Sequence, residues 1–249
     1  SAVPWVVGAL ADEHNRLIWW AAAAAIDLLG MRLRHPVPGL PVPGRDEIDF
    51  DLPHQIERCQ LFLIICLGEA ILTTGNAIIH GLDEPLVVAA GVASLVVIIG
   101  VWALFFGPAN EDHVLAPMTS EAHSDDPAAN VSLAVLATNG QQVLVLGMVA
   151  LAVGAEVVVA EPAEPIAPAA VMALFGGMVI CVTAFWFFLT RSTGRSMWVS
   201  LAACDAVLIC AAGVSVLAGL SGIAVMGLLV VVTASTAWGF NREARLLAR

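Results

Sequence analysis

Leu61-Phe-Leu-Ile-Ile-Cys-Leu-Gly-Glu-Ala-Ile-Leu72 is the stretch on which the reading of this chain turns. Apart from Glu69 it is apolar or small, and with its flanks it is long enough to cross a bilayer as a helix. A carboxylate in the middle of such a helix costs roughly 2.5–3.5 kcal/mol on insertion scales, so it is expected to face a partner, water or a substrate rather than lipid. The run is headed by His54, Glu57 and Arg58, which share one helical face at i, i+3 and i+4. At 3.6 residues per turn, Arg58 and Glu69 stand about 20° apart around the helix and roughly 16 Å apart along it. One stripe therefore carries His54, Glu57, Arg58 and Glu69, with Leu61, Ile65 and Gly68 between them. Glu69, Gly68 and Arg58 are expected to face the bundle interior. Leu63, Ile64 and Ala70 or Ile71 are expected nearer lipid or different neighbours.

Hydrophobic residues make up 59% of the 249 and charged residues 12%, about half the globular norm of roughly 25%. A soluble chain of this length could not bury so much apolar surface. The apolar residues also fall in runs of about twenty, the length that spans a membrane. The expected fold is all-α: a polytopic transmembrane helical bundle, one domain over residues 1–249, with about seven apolar spans after a partial N-terminal helix. That first helix is the apolar stub Val3–Leu10, whose start is expected to lie outside the chain. No basic segment precedes it, so it does not read as a signal peptide. The net charge of −11 is carried by loops and argues against nucleic acid as a partner. Cys59, Cys66, Cys181, Cys204 and Cys210 form no C-x-x-C pair and read as small core residues, without a disulfide framework.

The first span is expected at Leu17–Met31, with Trp19 and Trp20 as an interfacial pair and Asp27 near its end. A Pro/Gly linker, His35–Gly44, follows, and then acidic Asp46–Asp51. Four prolines in ten residues cannot be helical. Further spans are expected at Pro53–Ile79, Leu86–Phe106, Ala129–Val159, Ile166–Leu189, Met197–Leu217 and Gly222–Phe240. Polar Gly107–Ala128 and the Glu161–Pro165 segment separate some of them. Alternating the spans puts Arg32, Arg34, Arg45, Arg58, Arg191, Arg195, Arg242, Arg245 and Arg249 on one side and only Arg16 on the other. By the positive-inside rule that side, with the C-terminus, is cytoplasmic.

Glu69 reads either as a proton- or cation-binding carboxylate or general acid/base, or as a structural hydrogen-bonding group. His54, Glu57 and Arg58 read either as an interfacial ion pair or as the mouth of a pocket. In the second reading Arg58 takes an anionic group, His54 exchanges protons and Glu57 orients Arg58. Asp205 is the other intramembrane acid, a candidate to share a site with Glu69 or to pair with an Arg. Asn139, Gln141 and Gln142 are expected to bond between helices, and Trp186 with Phe185, Phe187 and Phe188 to serve as aromatic-belt or packing residues. His54 and Glu57 have no third ligand in view, so no metal is expected.

His54-Gln-Ile-Glu-Arg-Cys-Gln-Leu-Phe-Leu-Ile-Ile-Cys-Leu-Gly-Glu69 resembles the H-x-x-E-R-x-x-L-F-x-I-I-x-L-G-E signature of the bacterial low temperature requirement protein A family. Trp19/Trp20 followed by Ile26-Asp-Leu-Leu-Gly30 is similar to the span before that motif. The resemblance implies a polytopic inner-membrane protein named for a growth phenotype in the cold, without a settled molecular activity. The family's opening E-L-F-F-D-L-V-F-V-like helix has no counterpart here, which implies that N-terminal helices bearing further acids are missing. Where the family tends to carry an aromatic and a His, this chain has Thr138-Asn-Gly-Gln-Gln142, so that helix lacks residues for a proton relay.

Three functions compete. A transport- or channel-like protein would use the His54-to-Glu69 stripe and Asp205 to handle protons or ions. A membrane-embedded enzyme acting on a lipid or isoprenoid would use the same acids with Arg58 on an anionic head group, although no DDxxD, HExxH or nucleophile motif is present. A non-catalytic membrane factor for growth in the cold is the third. Membrane lipids and a small molecule or ion are the expected partners. No cofactor is expected, and assembly as a homo-oligomer stays open.

Overall fold

The computed structural model describes residues 2–33, 52–107, 127–193 and 198–247. The His35–Gly44 linker, Asp46–Asp51 and nearly all of the Gly107–Ala128 segment lie outside them. Among the described residues every extended element is a helix. The chain divides into a unit Ser1–Asp49 and a unit Phe50–Arg249.

The first unit is a helical hairpin of α1, Ala2–Leu10, and α2, Glu13–Arg32. Trp5 donates its indole N–H to Asp27 at 3.1 Å, so the carboxylate expected near the end of the first span holds the two helices together. Trp5 and Trp20 pack with ring centroids 6.5 Å apart, and the Arg16 guanidinium lies over the Trp20 ring at 5.8 Å. The expected span Leu17–Met31 is helical within α2. However, Glu13, Arg16, Asp27 and Arg32 punctuate that helix, and it is not among those apolar enough to cross a membrane.

The second unit holds α3, Leu52–Ile79; α4, Pro85–Phe106; α5, Pro127–Ala160; α6, Pro168–Thr193; α7, Trp198–Leu217; and α8, Gly222–Leu247. Each contains a stretch long and apolar enough to span a bilayer, giving six such spans among the described residues. Pro85 opens α4 at a position where a missing N–H costs nothing, and Pro168 opens α6 in the same way. The spans agree with the sequence reading to within a few residues, apart from the weak first one.

Packing in a bilayer gains little from hydrophobicity, because lipid is as apolar as leucine; close backbone approach and shape fit take its place. The α5–α6 pair shows this most clearly. A Cβ on Gly177 would stand 2.6 Å from the Gly147 carbonyl oxygen, and one on Gly147 would stand 2.8 Å from the Gly177 oxygen. Only glycine allows that crossing. Around it Leu174, Met178, Leu208 and Leu229 are fully buried, and Thr74 and Ser94 share a buried hydroxyl contact at 3.3 Å. Beside Thr74 and Ser94 the side chains leave a void of about 20 Å³.

The two ends differ. At one end, the α5–α6 connection and the α7–α8 turn hydrogen-bond to each other: Ile166 N–H to Leu220 O at 3.1 Å, Gly222 N–H to Glu164 O at 3.0 Å and Ile223 N–H to Pro162 O at 2.8 Å. Both connections therefore lie on one side, as alternating spans require. At the other end Phe105, Phe185, Trp186 and Phe240 interlock edge to face, with Phe105 and Phe185 centroids 4.9 Å apart. Trp186 is buried here as a packing residue, as its sequence setting suggested.

Candidate functional site on the outer face of α3

Helix α3 packs on α4 and α5 through Ile56, Leu63, Leu67, Ala70 and Thr74. Their spacing of seven, four, three and four makes a single seam. Glu69 stands about 130° around the helix from that seam, and its side chain is exposed on the outer face of the unit. The expectation that Glu69, Gly68 and Arg58 face the interior is therefore corrected. Arg58 is exposed, Gly68 is half-buried with nothing within 4 Å of where a Cβ would stand, and Leu63 and Ala70 take the inward positions. Ile64 and Ile71 are exposed, as expected.

The physical reason is that α3 is apolar on both sides. Leu61, Ile65 and Leu72 on the outer face are as apolar as the seam, and they are 54%, 66% and 69% exposed. The choice of face was made by shape fit against α4 and α5, which a lone carboxylate does not control. The stripe itself is intact. His54, Arg58, Glu69 and Asn76 lie along one outward line, with Leu61, Ile65 and Leu72 among them.

Among the described residues Glu69 makes no hydrogen bond or ion pair. It lies fifteen residues past His54, about 22 Å along a helix rising ~1.5 Å per residue, well inside the span. Gly68 and Gly75 both leave open space beside this line. At the entrance to the span, His54 Nδ1 is 3.8 Å from Glu57 Oε2. Glu57 is thus set toward His54 rather than orienting Arg58. Both side chains are about two-thirds exposed, so the pair adds little stability.

Asp205 lies elsewhere. Its helix, α7, packs on α6 and α8, and the structure does not bring it together with Glu69. Thr183 on α6 donates its hydroxyl to Asp205 Oδ2 at 3.0 Å, and Oδ1 is enclosed without a hydrogen-bond partner among the described residues. Asp205 reads from this geometry as a helix-to-helix hydrogen-bonding group. Of the polar patch on α5, Asn139 and Gln142 are exposed and Gln141 is half-buried. The bond from α5 to α3 comes instead from a neighbour the sequence reading passed over: Gln55 donates its amide to Thr138 Oγ1 at 3.2 Å, and Thr138 in turn donates to the Ala134 carbonyl at 2.9 Å. Gln55 occupies a free position inside the motif, and a carboxamide at that depth was the signal available. No group of three His, Cys, Asp or Glu side chains among the described residues could hold a metal ion.

Six apolar spans, close glycine crossings and polar residues rationed to a few interhelical bonds define a polytopic α-helical integral membrane protein. The chain belongs to the bacterial low temperature requirement A protein (LtrA) family, whose model matches residues 1–236. It is also similar to Uncharacterized protein RA0937 of Rhizobium meliloti (strain 1021), with 28% identity over 162 residues. The match covers 65% of this chain and 38% of that protein, well under two thirds of its length. No solved structure matches.

Proposed function

We propose that this LtrA-family protein is transport- or channel-like, and that Glu69 is the carboxylate that takes up and releases a proton or small cation. One observation carries the reading. An ionisable side chain sits deep in a span, on the outer face of its own helix bundle, without a hydrogen bond or ion pair among the described residues. Such a group is costly in lipid, by roughly 2.5–3.5 kcal/mol. It is retained at that cost where a hydrated path or a polar partner reaches it from outside the six-span unit. The burial of Leu174, Met178, Leu208 and Leu229 in the middle of the unit, with a void of about 20 Å³ beside Thr74 and Ser94, supports a path on the outer face. The path in this reading runs along the outer face of α3, from His54 and Arg58 at the membrane surface to Glu69. Arg58 attracts an anionic group or sets the local field, and His54 exchanges protons with the aqueous phase. We further propose an inner-membrane location with a cytoplasmic C-terminus, on the strength of the arginine distribution.

Cold-growth complementation by the full chain tests the role of Glu69. Glu69→Gln keeps the shape and removes the charge. It is expected to abolish complementation at wild-type membrane abundance. Full complementation by Glu69→Gln would rule out a titrating role.

A further inference from the structure

Between α3, α4, α5 and α6 lies a second cavity, of about 90 Å³, distinct from the Glu69 face. Its walls are mostly hydrocarbon, with Leu63 and Phe185 among them, and three polar groups reach it: Cys59, Gln60 and Gln141. The Gln55–Thr138 hydrogen bond lies within one helical turn of it and fixes α3 against α5 at that level. Gly140 also lines it, and nothing stands within 4 Å of where a Gly140 Cβ would be. The space is thus a feature of the packing. It contrasts with Gly147, one heptad along the same helix, where the neighbouring helix fills the position.

Size and polarity decide what fits. An apolar cavity of about 150 Å³ takes one benzene ring and stays dry. The present cavity is smaller and takes a short run of methylene groups, not a ring system. The two carboxamides can each donate and accept a hydrogen bond. Among the described residues no acidic or basic side chain lines the cavity, so a charged head group there would stay unpaired and be costly to desolvate. A hydroxyl or carbonyl oxygen meets both amides at no such cost. Both Gln60 and Gln141 are half-buried, so the cavity is partly open. In a membrane span the surrounding medium is hydrocarbon, and that medium supplies the chain.

We infer that this cavity is a binding site for a neutral membrane lipid, which inserts a hydrocarbon chain segment and sets its hydroxyl or carbonyl oxygen against Gln60 and Gln141. The inference is independent of the role of Glu69. Occupancy would tie the α3–α5 contact to the state of the lipid, through the same turn of helix that carries the Gln55–Thr138 bond.

The test uses the full chain in nanodiscs and a sixteen-carbon alcohol bearing a mid-chain diazirine as photoprobe, with crosslinks mapped by mass spectrometry. Crosslinks are expected to concentrate in 56–63 and 137–144. Gly140→Leu starts from a Cβ position with nothing within 4 Å and raises helix propensity, so it is expected to fold, to occupy the cavity and to lose that labelling. Gly68→Leu, on the open outer face, is the matched control and keeps it. Gln60→Leu should weaken alcohol labelling by roughly two- to tenfold, the scale of one net hydrogen bond. The carboxylate probe of equal length should label the cavity less than the alcohol. Labelling spread evenly over the exposed faces, or unchanged in Gly140→Leu, overturns the site. Equal labelling by alcohol and carboxylate overturns the neutral-lipid assignment, and rapid modification of Cys59 by a water-soluble maleimide that the alcohol does not slow marks a hydrated vestibule and overturns both.

Discussion

Replacing Gly177 by alanine adds one methyl group where the backbones of α5 and α6 cross in direct contact. That carbon would stand 2.6 Å from the Gly147 carbonyl oxygen, 2.8 Å from the Leu151 nitrogen and 3.2 Å from the Ala150 Cβ. The first approach falls about 0.8 Å inside the 3.4 Å at which ordinary contact begins, and both partners in the closest pairs are backbone atoms that cannot rotate away. The helices must separate by a comparable amount, undoing the fit around Leu174 and Met178. Overpacking of this kind costs about 1–3 kcal/mol. Against it stands a gain of about 0.8–1.0 kcal/mol from better helix propensity, so the net expectation is a loss of up to about 2 kcal/mol. Gly176→Ala supplies the control. It is the adjacent residue on the same helix, with nothing within 4 Å of its Cβ position, so it should be neutral or stabilising by up to about 1 kcal/mol. Unfolding by detergent titration in bicelles reads both variants. Equal stability of Gly177→Ala and Gly176→Ala would refute the backbone-contact account of the α5–α6 pair.

The remaining predictions concern topology and the polar groups. Reporter fusions after Arg249 and within Glu161–Pro165 should report opposite sides, with the C-terminal one cytoplasmic; an external signal from the C-terminal fusion would reverse the orientation. Thr138→Val removes the acceptor for Gln55 and should cost about 0.6 kcal/mol, at most about 1.7, by the measured range for hydrogen bonds between membrane helices; no loss in the same bicelle titration would mean that the bond does not hold α3 to α5. Asp205→Asn keeps an acceptor for Thr183 and should complement cold growth nearly as well as wild type, whereas Arg58→Lys should be impaired if Arg58 grips an anionic group in bidentate fashion. An Asp205→Asn defect as severe as that of Glu69→Gln would return Asp205 to the site.

The spans were legible because the bilayer imposes one length and one polarity on every crossing segment. The motif around His54–Glu69 was legible as a stripe for the same reason that helical geometry is rigid. Which way the stripe faces was not. In water, the polar side of a helix is the outside. In lipid, Leu61 and Ile65 are as acceptable outside as Leu63 and Leu67 are inside, so hydrophobic periodicity no longer selects a face. The cost of lipid exposure points Glu69 inward, but the same cost is equally relieved in any arrangement where a polar group or water reaches the outer face. The glycine crossing at 147 and 177 could be suspected from the density of small residues, but not located. Gly176 and Gly177 are adjacent in sequence and differ only in what stands opposite. Asp205 and Glu69 looked alike as intramembrane acids, and the packing of α7 away from α3 separates them.

Ion flux through the purified full chain in liposomes is the most direct test of the role given to Glu69. A pH gradient is imposed, and internal pH is followed with an entrapped dye under matched reconstitution. Wild type is predicted to dissipate the gradient faster than protein-free liposomes, and Glu69→Gln to fall to the protein-free rate while Gly140→Leu does not. Dissipation by Glu69→Gln at the wild-type rate, or by wild type at the protein-free rate under every cation gradient tried, would contradict the account.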